Sequence, residues 1–171
     1  MSAVQILARA YGEAPNPPLI GDVAATSIAQ LQAKTADYRE KMSEWRAKME
    51  LAIKRLWTEL PDQPEDIAAG IDALIAATDR DISKAKASID EMKLHTKRVL
   101  ARNKSIPKQE WKRMRGIAED FISLMEEDYN IRVNFYYQYI AMRADIDPTS
   151  RGGPVYNKAS DLLAHLRSSR R

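Results

Sequence analysis

No cysteine occurs in the 171-residue chain, which excludes disulfides, thiolate nucleophiles and cysteine-ligated zinc. A chain without disulfides fits a reducing compartment, and the expected location is cytoplasmic. Glycine is scarce, and the one adjacent pair, Gly152-Gly153, lacks the lysine and preceding strand of a phosphate-cradling loop. Histidine is scarcer still. His95 and His165 lie far apart and belong to neither HExxH nor the Glu-x-x-His pair of di-iron bundles, so no metal or cofactor is expected. No nucleophile elbow is present, and the expectation is a protein without enzymatic activity. Long apolar runs are missing too: residues 23–33 and 133–142 reach only about half of the ~20 residues a membrane helix needs. At the amino terminus no basic residue precedes the apolar ones and Arg9 interrupts them, so neither a signal peptide nor a transmembrane segment is expected.

What is abundant is helix-forming and charged: Ala, Lys, Arg, Glu, Asp, Leu and Ile dominate. The length is most simply one domain. A net charge of +3 is too mild to imply a nucleic-acid partner by itself, so the distribution of charge along the chain matters more.

Apolar spacing is helical almost throughout. Val4, Leu7 and Tyr11 share one face of a helix too short to stand alone, and EAPNPP at 13–18 ends it as an extended spacer. Residues 1–20 are therefore an N-terminal arm. A first long helix is expected from near Asp22, with Thr26 or Ser27 as alternative caps. Its seam is Ile28, Leu31, Thr35, Tyr38, Met42, Trp45, Met49, Ala52, Leu56 and Leu60, in the alternating three and four steps of a coiled coil. Glu44 with Lys48 and Glu50 with Lys54 are expected ion pairs on its outer face. Asp62, Pro64 and Glu65 signal a capped start to a second helix. That helix carries Ile67, Ile71, Leu74, Thr78, Ile82, Ala85, Ile89, Met92, Thr96 and Val99, and Gly70 is expected to weaken it by up to ~1 kcal/mol relative to alanine.

A second turn at 103–107 has Ser105 as cap and Pro107 in the first turn of a third helix. Trp111, Met114, Ile117, Phe121, Leu124, Ile131, Phe135, Tyr139 (or Gln138) and Met142 form its main stripe; Ile122, Met125, Tyr129, Val133, Tyr136 and Ile140 form another. Two stripes mean burial on more than one side. Residues 148–171 are a loop and a short helix marked by Val155, Ala159, Leu162 and Leu166. The expected fold is all-α: a single domain holding an elongated, coiled-coil-like antiparallel three-helix bundle over 21–147, with short amphipathic arms at both termini.

Two stretches are candidate contact surfaces. Residues 97–115 carry eight cations, Lys97, Arg98, Arg102, Lys104, Lys108, Lys112, Arg113 and Arg115, against one acid, Glu110. The first four lie where a helix dipole favours positive charge, whereas the last four open a helix, where it favours acids. An anionic partner would relieve that crowding, with Trp111 available to stack; the plainer account is solvated charge around a core tryptophan. The aromatic segment Tyr129, Val133, Phe135, Tyr136, Tyr137, Tyr139 and Ile140 suits a protein interface, unless the chain's own arms cover it. The acidic run Glu119, Asp120, Glu126, Glu127 and Asp128 reads as a solvated face.

The leading functional expectation is a non-enzymatic interaction or structural module that presents a rigid helical bundle to a protein partner, with a homo-oligomer as one form of that contact. Nucleic-acid backbone binding at 97–115 is the alternative, and neutralisation of a toxin or effector is a third.

Overall fold

The computed structural model describes residues 2–15, 28–62, 64–102, 105, 107–147, 149 and 151–168, and a few helical side chains, Arg102 among them, fall outside that description. Five helices account for nearly all of it: α1 Ala3–Gly12, α2 Ile28–Glu59, α3 Pro64–Arg102, α4 Lys108–Ile146 and α5 Pro154–Ser168, with no strand among the described residues. The proposed cap residues Asp22, Thr26 and Ser27 lie outside the described residues, as does 16–18 of the spacer; the Asp62–Glu65 capping box spans residue 63, which does too. Pro64 opens α3, where its missing N–H costs no helical bond. Pro107 differs from expectation: it precedes α4, and its carbonyl accepts the Trp111 N–H at 3.0 Å.

The chain divides into two compact units. One comprises Met1–Ala14, Trp45–Ile82 and Asn130–Arg171; the other comprises Pro15–Glu44 and Ser83–Tyr129. In the first, Leu7, Met49, Leu56, Ile71, Tyr139 and Met142 are fully buried. Trp45 meets Phe135 edge-on at 5.7 Å, and Ala159 of α5 is buried in the same unit. In the second, Ile89 and Met92 of α3 pack against Phe121, Ile122 and Met125 of α4, with Tyr129 half-buried beside them. Tyr38 of α2 adds a tilted contact with Phe121 at 6.4 Å. The α2 seam from Thr35 to Leu60 is buried at every expected position.

Polar detail departs from expectation more than the seams do. Lys48 pairs with Glu13 at 2.6 Å instead of Glu44, and Glu50 pairs with Arg46 at 3.0 Å instead of Lys54. Asp128 is not a solvated charge: it is 4% exposed and accepts the Tyr38 hydroxyl at 2.9 Å. Burying a carboxylate is costly unless it is hydrogen-bonded, and this phenol supplies such a bond. Arg132, also buried, holds its guanidinium 4.8 Å from the centre of the Trp45 ring. In α5, Val155 is exposed, while Ala159 takes the buried position.

The N-terminal arm docks within its own unit. Ser2 and Gln5 form a capping box, and Glu59 accepts the Ala3 N–H at 3.2 Å, so three side-chain oxygens serve the donors that open α1. At the other end the Trp45 indole donates to the Ala10 carbonyl at 2.9 Å, and the Tyr11 hydroxyl donates to Asp81. Its buried face is Ala3, Leu7 and Ala10, rotated from the Val4, Leu7 and Tyr11 face read from the sequence, because small residues permit close packing. Gly70 is the counterpart on α3: a methyl placed there would collide with a Val4 methyl.

Gly70→Ala therefore reverses its usual sign. Helix propensity alone favours alanine by up to ~1 kcal/mol, but overpacking against Val4 costs ~1–3 kcal/mol. Urea denaturation is expected to show net destabilisation, and adding Val4→Ala is expected to restore most of it. A single variant more stable than the parent would refute the close docking of α1.

Candidate binding cleft

The end of α3 and the start of α4 enclose an open cleft of about 710 Å³ in the second unit. It forms because both helices end close together in sequence, with only residues 103–107 between them. The Trp111 indole donates to the Leu100 carbonyl at 3.3 Å, one of the last carbonyls of α3, which have no partner within the helix. Leu100 and Trp111 are half-buried and Ile122 is buried, which makes the floor apolar. Lys93 and Lys97 stand on the α3 side; Lys108 and Arg115 stand on the α4 side.

The cations differ in how they are engaged. Arg115 pairs with Glu119 at 2.9 Å, and its guanidinium lies 5.6 Å from the centre of the Trp111 ring. Lys93 approaches Glu126 at 3.7 Å. Lys97, Arg98, Lys108, Lys112 and Arg113 are exposed and form no ion pair among the described residues. Arg98, Lys112 and Arg113 lie outside the cleft lining. The side chain of Arg102 and all of Lys104 lie outside the described residues. Of the nine residues singled out around this turn, four therefore line the cleft, Lys97, Lys108, Trp111 and Arg115. Lys93, Leu100 and Ile122 were not singled out; Lys93 carries the i,i+4 signal, one turn before Lys97.

The aromatic segment is largely occupied by the chain itself. Phe135 and Tyr139 are buried in the first unit, so they offer no free surface there; Val133, Tyr136, Tyr137 and Ile140 are half-buried. Tyr136 and Tyr137 contact each other at 5.8 Å. Around Tyr139 lies a group of hydroxyls that the sequence did not reveal. The Tyr139 hydroxyl is buried without a hydrogen-bond partner among the described residues, and the buried Thr78 hydroxyl lies beside Tyr11. Burial holds the Tyr139 phenol well above its ordinary pKa. Tyr11 is pushed up to about 12, first by desolvation and then by its bond to Asp81, which is stronger while the phenol keeps its proton; the Thr78 hydroxyl beside it acts the other way.

Among the described residues no group of three or more His, Asp or Glu side chains is placed to hold a metal ion, and no helix is long and apolar enough to cross a membrane. In comparisons with known proteins, no family model, curated protein or solved structure matches this chain.

The hydroxyl group generates a test with a definite sign. Tyr11 keeps its proton in the folded state up to about 12, whereas the unfolded phenol loses it near 10. Stability from this group is thus complete below pH ~10 and is lost as pH rises towards ~12. Tyr11→Phe is expected to flatten the fall in denaturation midpoint across that window, and the parent's phenolate absorbance is expected to show one late-titrating tyrosine that the variant lacks. Identical alkaline profiles would remove the Tyr11–Asp81 bond from the account of α1 docking.

Proposed function

We propose that this chain is a non-enzymatic interaction module that holds an anionic partner at the cleft between α3 and α4. The observation that carries the reading is that Lys97 and Lys108 line one largely apolar cleft, both exposed and neither engaged by an acid among the described residues. Lys97 sits where the α3 dipole favours a cation, but Lys108 opens α4, whose first turn contains a single acid, Glu110. An anion placed between them offsets both the mutual repulsion and the unfavourable dipole.

The reading takes α2, α3 and α4 as an antiparallel three-helix bundle with α1 and α5 as arms. Connections of four and five residues, 60–63 and 103–107, support it, being too short for parallel neighbours of this length. A cytoplasmic setting belongs to the same reading, on the lack of cysteine. Self-association is a subsidiary part, resting on half-buried Val133, Tyr136, Tyr137 and Ile140 in the first unit and half-buried Tyr129 in the second. A nucleic-acid backbone is the second reading, favoured by Arg98, Lys112 and Arg113, which lie outside the cleft lining, are exposed, form no ion pair among the described residues and suit phosphates.

Fluorescence anisotropy with labelled polyglutamate and a labelled single-stranded oligonucleotide tests the reading across a salt series. Binding of at least one probe is expected to weaken as salt rises. Lys97→Gln combined with Lys108→Gln, both exposed positions, is expected to lower that affinity by roughly tenfold without altering the far-ultraviolet helical signal. No salt-sensitive binding by either probe, or binding indifferent to both substitutions, would refute it. An oligonucleotide affinity that responds instead to Lys112→Gln and Arg113→Gln would establish the second reading.

A further inference from the structure

We infer that the occupant of the cleft is an acidic amphipathic helix of a partner protein, with an apolar side chain seated on Leu100, Trp111 and Ile122 and carboxylates on both flanks. This rests on the anionic partner proposed above and adds its chemistry. Charge complementarity supplies the first argument. Lys93 and Lys97 are one turn apart on α3, roughly 6 Å along its axis, and Lys108 and Arg115 are two turns apart on α4, about 10 Å. Both rows line the same cleft, together with Glu119, which is paired with Arg115. A ligand helix with an apolar stripe between acidic flanks presents that pattern in reverse.

The floor supplies the second argument. Its one indole donor is already given to the Leu100 carbonyl, and Leu100 and Ile122 are aliphatic, which leaves the Thr96 hydroxyl as the one uncharged side-chain polar group of the lining beside that indole. A purely ionic ligand would leave this surface wet, whereas an apolar side chain would remove it from water. Nucleic acid fits less well. Among the described residues Trp111 is the only aromatic ring lining the cleft, and Arg115 lies over it, so a stacking base would have to displace that guanidinium. A membrane surface fits less well again: the floor is recessed between cations, and insertion needs apolar groups that project.

The existing ion pairs do not bar entry. Arg115–Glu119 and Lys93–Glu126 are half-exposed or more, and such pairs contribute little, so an incoming carboxylate can exchange with the internal one.

The test uses the full chain and three labelled probes of matched charge. The first is a helical peptide of about 14 residues, some 21 Å long, with leucine along one stripe and glutamate on both sides of it. The second has serine in place of each leucine, and the third is a single-stranded oligonucleotide. The leucine peptide is expected to bind about tenfold tighter than the serine peptide or better. Leu100→Asn is expected to abolish that advantage while leaving the serine peptide's affinity unchanged. Ala101→Glu, at an exposed position on the rim, is expected to weaken both peptides and guards against a fold defect in the first variant. Equal affinity for the two peptides, or an oligonucleotide tighter than either, would overturn this inference while leaving an anion-binding module in place. No salt-sensitive binding by any of the three would overturn both.

Discussion

The hydrogen bond from the Trp111 indole to the Leu100 carbonyl ties the start of α4 to the end of α3 at the cleft. Carbonyls at the end of α3 have no successor in the helix, and a buried one without a partner is costly. Trp111 satisfies one of them from the opposite helix and spans the reversal in doing so. The same bond fixes the plane of the ring, which sets one wall of the floor and gives Arg115 a face to lie against. Without that tie, Lys97 and Lys108 would repel each other with little to oppose them. With it, two like charges remain on either side of an apolar surface.

Magnitudes explain why the fold tolerates this arrangement. A cation at the wrong end of a helix dipole costs about 0.3–1 kcal/mol when exposed, and salt reduces even that. Against it stands the second unit's core, where Phe121, Met92 and Leu124 are almost wholly removed from water, each side chain worth roughly 1.5–3 kcal/mol. Burial at the core decides the fold, and the charges at the end of the hairpin are nearly free to vary. Their concentration there is accordingly not explained by folding, which is the physical ground for treating the cleft as a contact surface.

Legibility in the sequence followed the size of each contribution. The α2 seam from Thr35 to Leu60 was readable because large apolar side chains recur at a fixed period and their burial dominates. The α4 register was readable except in the interval from Leu124 to Ile131. The main stripe steps seven positions from Leu124 to Ile131, which leaves a vacant seam position on that face, and Asp128 fills it by accepting the Tyr38 hydroxyl. Thr35 had been accepted as a polar residue in the α2 seam; a carboxylate was assigned to solvent because its partner lies 90 residues away in the chain. Surface ion pairs were misassigned for a related reason. Lys48 has Glu44 one turn before it, but the docking of α1 brings Glu13 closer, and a difference of a few tenths of a kcal/mol decides between them. At the cleft, the cations and Trp111 were legible from composition alone, whereas the floor was not, since Leu100 and Ile122 become neighbours only through the reversal.

The docking of α1 also bears on which surface remains for a partner. A ten-residue helix is marginal by itself, so its position depends on contacts made from both of its ends. Glu59 holds the Ala3 N–H, Gly70 admits Val4, and the Trp45 indole, Asp81 and Lys48 hold the Ala10 carbonyl, Tyr11 and Glu13. In the same unit Phe135 lies against Trp45, and Tyr139 is fully buried. The aromatic segment therefore owes much of its composition to this unit's own core, and its tyrosines need no partner to account for them. Lys97 and Lys108 have no such internal account, and that asymmetry moves the functional reading from the aromatic segment to the cleft.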